Sequence, residues 1–214
     1  MSPANSDRVW VVEDDERVRR SLTWLLESVG LAVHEFPGAE PFLEALDPTR
    51  PGCVLLDIRM PGMGGLELQQ LLARDHPLLP VILITGHGDV PMAVRALKAG
   101  AYDFFEKPFN DQELLERAQA AIQQHRAALA EAASRAGIEQ RIARLTPRER
   151  DVLALMLEGA PGKVMAARLH ISPRTADVHR HNVMEKMEAA SLAELIQLCL
   201  AAGLKPGQPA EGNH

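Results

Sequence analysis

The chain has 214 residues, of which 46% are hydrophobic and 24% are charged, and its formal net charge is −6. This composition is typical of a globular protein and leaves room for one large domain or two small ones. No apolar run approaches the ~20 residues that a membrane helix needs, and the first residues lack the basic and apolar regions of a signal peptide. We therefore expect a cytoplasmic protein with no membrane partner, in which Cys53 and Cys199 are reduced core thiols.

The first half of the chain alternates short apolar segments with amphipathic ones. We predict strands at Val9–Val12, Ala32–Phe36, Cys53–Leu56, Val81–Thr85 and Tyr102–Phe105, and helices near 16–29, 39–46, 65–74, 90–99 and from 111 onward. Strands that alternate with helices indicate an α/β fold, a doubly wound five-stranded parallel sheet covered on both faces. Binding sites in such sheets form at the carboxyl ends of the strands.

The second half contains helix signals and no strand signal. Thr146 and Glu149 form a predicted capping box with Pro147 at the first helical position, and Ser172-Pro173 and Ser191 to Glu194 give two further starts. A shorter helix is predicted near 163–169. Residues 1–141 carry 14 basic and 21 acidic side chains, whereas residues 142–214 carry 9 and 8. We expect a small all-α module with a less acidic charge balance.

An Ala- and Gln-rich helical stretch joins the two halves at about 111–140. Six residues of this stretch follow one another at alternating steps of three and four, namely Leu115, Ala118, Ile122, His125, Leu129 and Ala132. This spacing fits a weak coiled-coil seam, and it fits equally well a fifth helix that simply extends as a semi-rigid spacer.

Polar side chains stand at the carboxyl ends of several predicted strands. Asp57 follows the third strand, and Glu13, Asp14 and Asp15 follow the first. With a strand order of 2-1-3-4-5, Asp14 or Asp15 faces Asp57, and carboxylates crowded in this way require a cation, for which Mg²⁺ is suited. Thr85 adds a hydroxyl and Lys107 an ammonium group. Together these groups suit a phosphoryl group, with a carboxylate to attack and donors to neutralise its oxygens.

The motifs EDD, LLDIRMPGMGG, TGHGD and KPF resemble, in order and spacing, the flavodoxin-like receiver domain of two-component response regulators. The resemblance implies that Asp57 becomes a 4-aspartylphosphate by transfer from a sensor histidine kinase, with no enzymatic activity beyond a weak autophosphatase. It implies that Mg²⁺ is bound by Asp14, Asp15, Asp57 and the backbone carbonyl of Arg59. It also implies that Thr85 and Lys107 contact the phosphoryl group, and that Thr85 and Phe104 form the switch. The Lys107–Pro108 bond is expected to be cis in such a domain.

The segment LTPRERDVLALMLEGAPGKVMAARLHISPRTADVHRHNVMEKM resembles the LuxR-type helix-turn-helix of the NarL/FixJ branch of response regulators. The resemblance implies promoter DNA as a partner, with the second helix of the motif in the major groove, a homodimer formed on phosphorylation, and RNA polymerase as a further partner. It places the DNA contacts at Lys163, Arg174, Thr175, Asp177, Val178, Arg180, His181 and Lys186.

Three features depart from the pattern of the helix-turn-helix family. Pro161-Gly162 replaces the Ser-Asn that is usual before the first helix of the motif, so we expect that helix to begin less firmly. Asp177 stands where related modules often carry a basic residue, and its acid either accepts from cytosine N4 or is a solvated charge that weakens binding. His170 stands where the turn commonly has Gly, so a left-handed conformation there carries a steric cost. These departures bear on affinity for DNA more than on the fold.

The resulting domain boundaries are a receiver at 1–125, a helical linker at 126–141, a helix-turn-helix domain at 142–205 and a tail at 206–214. A haloacid-dehalogenase-like phosphatase is disfavoured, because no second acid stands two residues after Asp57. Nucleotide-binding enzymes and a central ATPase are disfavoured by the absence of glycine-rich phosphate loops. The alternative to a transcription regulator is a receiver whose output module binds protein or RNA.

Overall fold

The computed structural model describes residues 7–86 and 90–204, so the predicted tail at 206–214 and residues 87–89 of the TGHGD motif lie outside it. The chain divides into two compact units, Met1–Ala130 and Glu131–His214. No helix among the described residues is long and apolar enough to cross a membrane. Cys53 and Cys199 are free and buried, as predicted for core thiols.

The first unit contains a five-stranded parallel sheet of order β2-β1-β3-β4-β5. Its strands are β1 (Arg8–Val12), β2 (Ala32–Phe36), β3 (Gly52–Asp57), β4 (Val81–Thr85) and β5 (Asp103–Glu106), and its helices are α1 (Glu16–Glu27), α2 (Ala39–Ala45), α3 (Gly65–Asp75), α4 (Val90–Lys98) and α5 (Asp111–Ala143). The predicted fold class and strand order are therefore confirmed, with strand ends displaced by one residue at most.

Each face of the sheet has its own apolar core. Trp10 and Val12 point to the face covered by α2, α3 and α4, whereas Val9 and Val11 point to the face covered by α1 and α5. All six residues of β3 are buried, as expected for a central strand of a parallel sheet. Packing on both faces fixes the carboxyl end of β3, and with it Asp57.

The long helix α5 begins as the fifth helix of the sheet. Leu115, Ala118, Ile122 and His125 are all buried in the first unit, so these four positions of the possible coiled-coil seam already pack against the sheet. Farther along the same helix, Ile138 belongs to the apolar core of the second unit. The residues predicted as a linker are therefore helical, and their later part contributes to the second core.

The second unit is all-α, with α6 (Pro147–Leu157), α7 (Gly162–Arg168), α8 (Pro173–Lys186) and α9 (Leu192–Ala201). The capping box of Thr146 and Glu149 is present in full, and Ser172 caps α8 as predicted. At α9 the box differs, because Ser191 accepts from the N–H of Glu194 while the Glu194 carboxylate accepts from Ala190. Val152, Met156, Met165, Val183 and Met187 are buried together in the apolar core of this unit.

Candidate functional site

Glu13 and Asp57 stand side by side at the carboxyl edge of the sheet. The register of β1 on β3 pairs Val12 with Leu56, so the next residue of each strand is at the same level. Both acids are nearly inaccessible, with Glu13 3% and Asp57 7% exposed. Two buried carboxylates at this spacing repel each other unless a cation lies between them.

Lys107 supplies one such cation. Its Nζ donates to Oδ1 of Asp57 at 2.8 Å and to Oε2 of Glu13 at 2.7 Å. Burial raises the pKa of Glu13, and the charge of Asp57 adds to the rise although the bond from Lys107 opposes it. Burial alone would lower the pKa of Lys107, but its bonds to Asp57 and Glu13 outweigh that effect and raise it. Lys107 therefore stays charged and holds the two acids together.

An acidic cluster of Glu13, Asp14 and Asp57 lies at this edge, and its ligand atoms fall within 4.8 Å of one another. Three carboxylates form a hard oxygen donor set of the kind that Mg²⁺ prefers. Asp15, which the sequence analysis expected to bind the metal, instead caps α1, where its Oδ1 accepts from the N–H groups of Arg17 at 2.8 Å and Val18 at 3.3 Å.

The loop after β3 returns to the backbone of Asp57. A Cβ at Gly65 would lie 2.0 Å from the carbonyl oxygen of Asp57, so only glycine fits at this position. The N–H of Gly65 donates to the carbonyl of Ile58 at 3.0 Å, and the N–H of Arg59 donates to Oδ2 of Asp57 at 2.7 Å. Both oxygens of Asp57 are thus oriented, and a metal contact of the Arg59 carbonyl stays a prediction.

Thr85 and Phe104, the predicted switch residues, lie on the neighbouring strands β4 and β5. Thr85 is fully buried, and its hydroxyl donates to the carbonyl of Gly86 at 3.1 Å. Phe104 is half-buried and packs on the core that α2, α3 and α4 cover. The N–H of Lys107 donates to the carbonyl of Thr85 at 2.8 Å, and the Lys107–Pro108 bond is cis, as predicted.

Helices α7 and α8 of the second unit adopt the two-helix arrangement predicted for the helix-turn-helix. His170 in the turn has φ of 51°. This is the left-handed conformation, in which histidine carries a steric cost that glycine does not. Helix α7 starts at Gly162 with Pro161 as its N-cap and no side-chain cap bond. The exposed predicted contacts are Lys163, Arg174, Thr175, Asp177, Val178 and His181, and Arg180 is half-exposed.

Lys186 is committed to a contact inside the second unit. Its Nζ donates at 2.6 Å to Oε2 of Glu149, a carboxylate with only 4% of its side chain exposed. That carboxylate also accepts from the N–H of Thr146 in the capping box. The arrangement is that of a structural ion pair, and a phosphate contact by Lys186 stays a prediction that this pairing disfavours.

The sequence patterns do not indicate the contacts of two buried acids, Glu13 and Glu149. Glu13 belongs to the acidic cluster, and the signal for it was the apolar run VWVV, which Glu13 follows directly, as Asp57 follows VLL. Glu149 was noticed only as a capping residue, because nothing in the local sequence connects it with Lys186, 37 residues later.

Comparison with known families and proteins agrees with this geometry. Residues 9–119 match the response regulator receiver domain, and residues 143–199 match the bacterial regulatory proteins of the luxR family. The second match favours DNA as the target of the output module over protein or RNA. Together, a receiver and a LuxR-type domain imply a sensor kinase partner and DNA binding.

Individual relatives share both domains. The chain is 44% identical over 196 residues to the transcriptional regulatory protein FixJ of Bradyrhizobium diazoefficiens, covering 92% of this chain and 96% of FixJ. It is 46% identical over 202 residues to FixJ of Azorhizobium caulinodans, covering 94% and 96%. The solved structure of the response regulator StyR superposes with a TM-score of 0.85 at 42% identity, covering 91% of this chain and 98% of StyR. The chain therefore belongs to the family of two-component response regulators that carry a LuxR-type helix-turn-helix and control transcription.

Proposed function

We propose that Asp57 is the residue that accepts the phosphoryl group from a sensor histidine kinase. The observation that carries this proposal is the pairing of the Asp57 carboxylate with Lys107 at 2.8 Å, beside the acids Glu13 and Asp14. In the transfer, a carboxylate oxygen attacks phosphorus, the bond from phosphorus to the kinase histidine breaks, and an acyl phosphate forms. Slow hydrolysis of that acyl phosphate by water then resets the protein.

The residues that would hold Mg²⁺ are Asp14 and Asp57, together with Glu13 and the carbonyl of Arg59. An all-oxygen set at an open sheet edge fits a small hard cation, whereas Asp15 is already engaged in capping α1. When bound, Mg²⁺ neutralises charge on the phosphoryl oxygens. Lys107 contributes on the same side, since its three donors allow it to exchange a carboxylate oxygen for a phosphoryl oxygen.

Thr85 and Phe104 would convert phosphorylation into a change of surface. The Thr85 hydroxyl now donates to the Gly86 carbonyl, and a phosphoryl oxygen on Asp57 is a stronger, charged acceptor. Movement of Thr85 inward vacates space that the half-buried Phe104 ring can fill. The hydrogen bond of Thr85 would be stronger in the phosphorylated state than in the present one. This difference supplies the free energy that any shift between two conformations requires.

The output of this switch would be transcription control in the cytoplasm through α8, the recognition helix. We propose domains at 1–125 and 142–205 joined by helical residues 126–141, with a tail at 206–214. Phosphorylation promotes a homodimer, and two linked recognition helices gain affinity for two half-sites without new contacts. RNA polymerase is then a further partner at the promoter.

A single experiment tests the chain of events. The full-length protein is treated with beryllium fluoride and Mg²⁺, a mimic of the phosphoryl group, and its oligomeric state and its selection of DNA from a random library are compared with those of the untreated protein. We expect a shift to dimer and an enriched DNA motif only with the mimic. An unchanged oligomeric state and unchanged DNA selection would contradict the proposal.

A further inference from the structure

We propose that Asp177 reads the sequence of the bound DNA, accepting a hydrogen bond from the N4 amino group of a cytosine in the major groove. The inference rests on the proposed binding of α8 to DNA and names the base that one of its side chains selects. The inference gives the Asp177 carboxylate a part in DNA recognition, although it lies on a surface that must approach negatively charged phosphates.

The face of α8 that carries Asp177 points away from the core. Ala176 and Val183 are buried on the side that packs into the second unit. Asp177, Val178 and His181 are exposed, and at spacings of four and three residues Asp177 and Val178 each lie beside His181 on the helix surface. The Asp177 side chain is 69% exposed, so neither packing nor helix capping accounts for an acid there.

Asp177 does not present an isolated negative charge to DNA. Nη1 of Arg180 lies 3.6 Å from its Oδ1, one helical turn along α8. Both groups lie against the start of α7, since a Cβ at Gly162 would be 3.6 Å from Oδ1 of Asp177 and 3.5 Å from Nη1 of Arg180. The guanidinium offsets the carboxylate charge and reduces the repulsion from phosphates that an unpaired acid would meet.

The hydrogen-bonding groups on the base edges limit which bases can donate a hydrogen bond to a carboxylate. Cytosine presents N4–H₂ as a donor in the major groove, whereas guanine presents two acceptors and thymine an acceptor and a methyl group. Adenine has a donor at N6 but places the N7 acceptor beside it, where a carboxylate is repelled. Asp177 therefore favours cytosine over the other three bases at the position it faces.

The test uses the full-length protein, activated with a small phosphodonor and Mg²⁺, to select DNA from a random library. We expect the wild type to enrich a cytosine at one position in each half-site. Asp177→Ala should erase that preference and leave the rest of the motif intact. Glu185→Ala is the matched control, because Glu185 is also an exposed acid on α8 but lies two turns away, and this variant should keep the cytosine.

A base analogue then tests the contact itself. Replacing the selected cytosine by a pyrimidin-2-one nucleotide, which lacks only the exocyclic amine, should weaken wild-type binding by about fivefold and leave Asp177→Ala binding unchanged. If Asp177→Ala instead binds every sequence more tightly with the motif unchanged, Asp177 is a solvated charge and the inference is overturned. If the activated wild type selects no DNA at all, the proposed function fails and this inference falls with it.

Discussion

Lys107 and Asp57 form an ion pair across the carboxyl edge of the sheet, with 2.8 Å between Nζ and Oδ1. The lysine follows β5 and the aspartate ends β3, with β4 between them in the sheet. The lysine side chain therefore reaches across one intervening strand to meet the carboxylate. An ammonium group held in this place would neutralise the charge of a phosphoryl group on Asp57 in the proposed transfer.

Replacing Asp57 by Asn should abolish phosphorylation by a small phosphodonor in the presence of Mg²⁺. The amide has no carboxylate oxygen to attack phosphorus, although its shape fits the same space. Intact-mass spectrometry of the treated protein measures the outcome. Asp75→Asn serves as the control, because Asp75 is an aspartate of the same unit that pairs with Arg74 on the surface, and this variant should be labelled like the wild type. Equal labelling of both variants would remove Asp57 from the site.

Most of the candidate site at the carboxyl edge of the sheet was predictable from the ends of the strands. Asp57 and Thr85 stand at the point where an apolar run stops, and Lys107 directly follows β5. Parallel strands bring such points to one edge. The ends of the strands did not predict which of the acids Glu13, Asp14 and Asp15 lies beside Asp57, because that depends on the register of β1 against β3. That register places Glu13 level with Asp57, and the next turn of chain makes Asp15 the cap of α1.

Contacts distant in sequence were less accessible to prediction than elements and caps. The capping box of Thr146 lies within four residues and was read directly from the sequence. The pair of Lys186 with Glu149 joins α8 to the start of α6, and only the packing of the two helices creates it. For the same reason the spacing of Leu115, Ala118, Ile122 and His125 fitted a coiled-coil seam or a spacer helix, and only the packing of α5 shows that these side chains are buried in the first unit.

Asp14→Asn and Asp15→Asn should separate metal binding from helix capping. Asp14→Asn removes a carboxylate from the acidic cluster and should weaken Mg²⁺ binding at least tenfold, as loss of a charged oxygen ligand does. Asp15→Asn keeps a side chain that can cap α1 and should leave Mg²⁺ affinity nearly unchanged. Isothermal titration with Mg²⁺ measures both variants. A large loss of affinity in Asp15→Asn would restore Asp15 as a ligand.

Asp15→Ala extends the same comparison to stability. Alanine cannot accept from the N–H groups of Arg17 and Val18, which also lower the pKa of Asp15. The variant should unfold at a lower temperature than Asp15→Asn in a thermal melt without Mg²⁺. Identical melting temperatures for the two variants would mean that the cap contributes nothing measurable.

Lys186→Met should have a larger effect on the stability of the second unit than on binding to DNA phosphates. The change strands the Glu149 carboxylate, and loss of a charge-assisted bond to a buried group costs about 1.5–3 kcal/mol. Chemical denaturation measures this loss. Arg174→Ala is the control, because Arg174 is exposed. This variant should bind DNA more weakly and with a smaller salt dependence, with little change in stability. A stable Lys186→Met protein with a reduced salt slope would instead identify Lys186 as a phosphate contact.

The Lys186→Met effect should also depend on pH. Burial would raise the pKa of Glu149, but its bonds to Lys186 and Thr146 outweigh that effect and lower it. A carboxyl group with a lowered pKa in the folded state contributes stability above its ordinary pKa of 4.5 and loses it as the pH falls through the folded value. The stability difference between wild type and variant should therefore be full at pH 7 and shrink in acid, which denaturation at a series of pH values measures.

His125 should make the first unit sensitive to mild acid. The ring is 1% exposed, with Nδ1 3.0 Å from the carbonyl oxygen of Gly52 and Nε2 buried without a partner among the described residues. Burial lowers its pKa from the ordinary value of 6.5, although the contact with Gly52 opposes the change. A proton on Nε2 would add a buried donor without an acceptor, so the neutral ring is the form that the fold accepts.

The sign of the His125 effect follows from this preference. A histidine with a lowered pKa contributes stability above pH 6.5 and loses it as the pH falls from that value toward the folded pKa, because the unfolded chain then binds the proton more readily. His125→Gln, neutral at every pH, should lack this loss, so the stability advantage of the wild type should diminish between pH 7 and pH 5 in urea denaturation followed by circular dichroism. Because only the difference between the two proteins is compared, the other histidines cancel. Parallel stability curves across this range would show that His125 takes up no proton on unfolding.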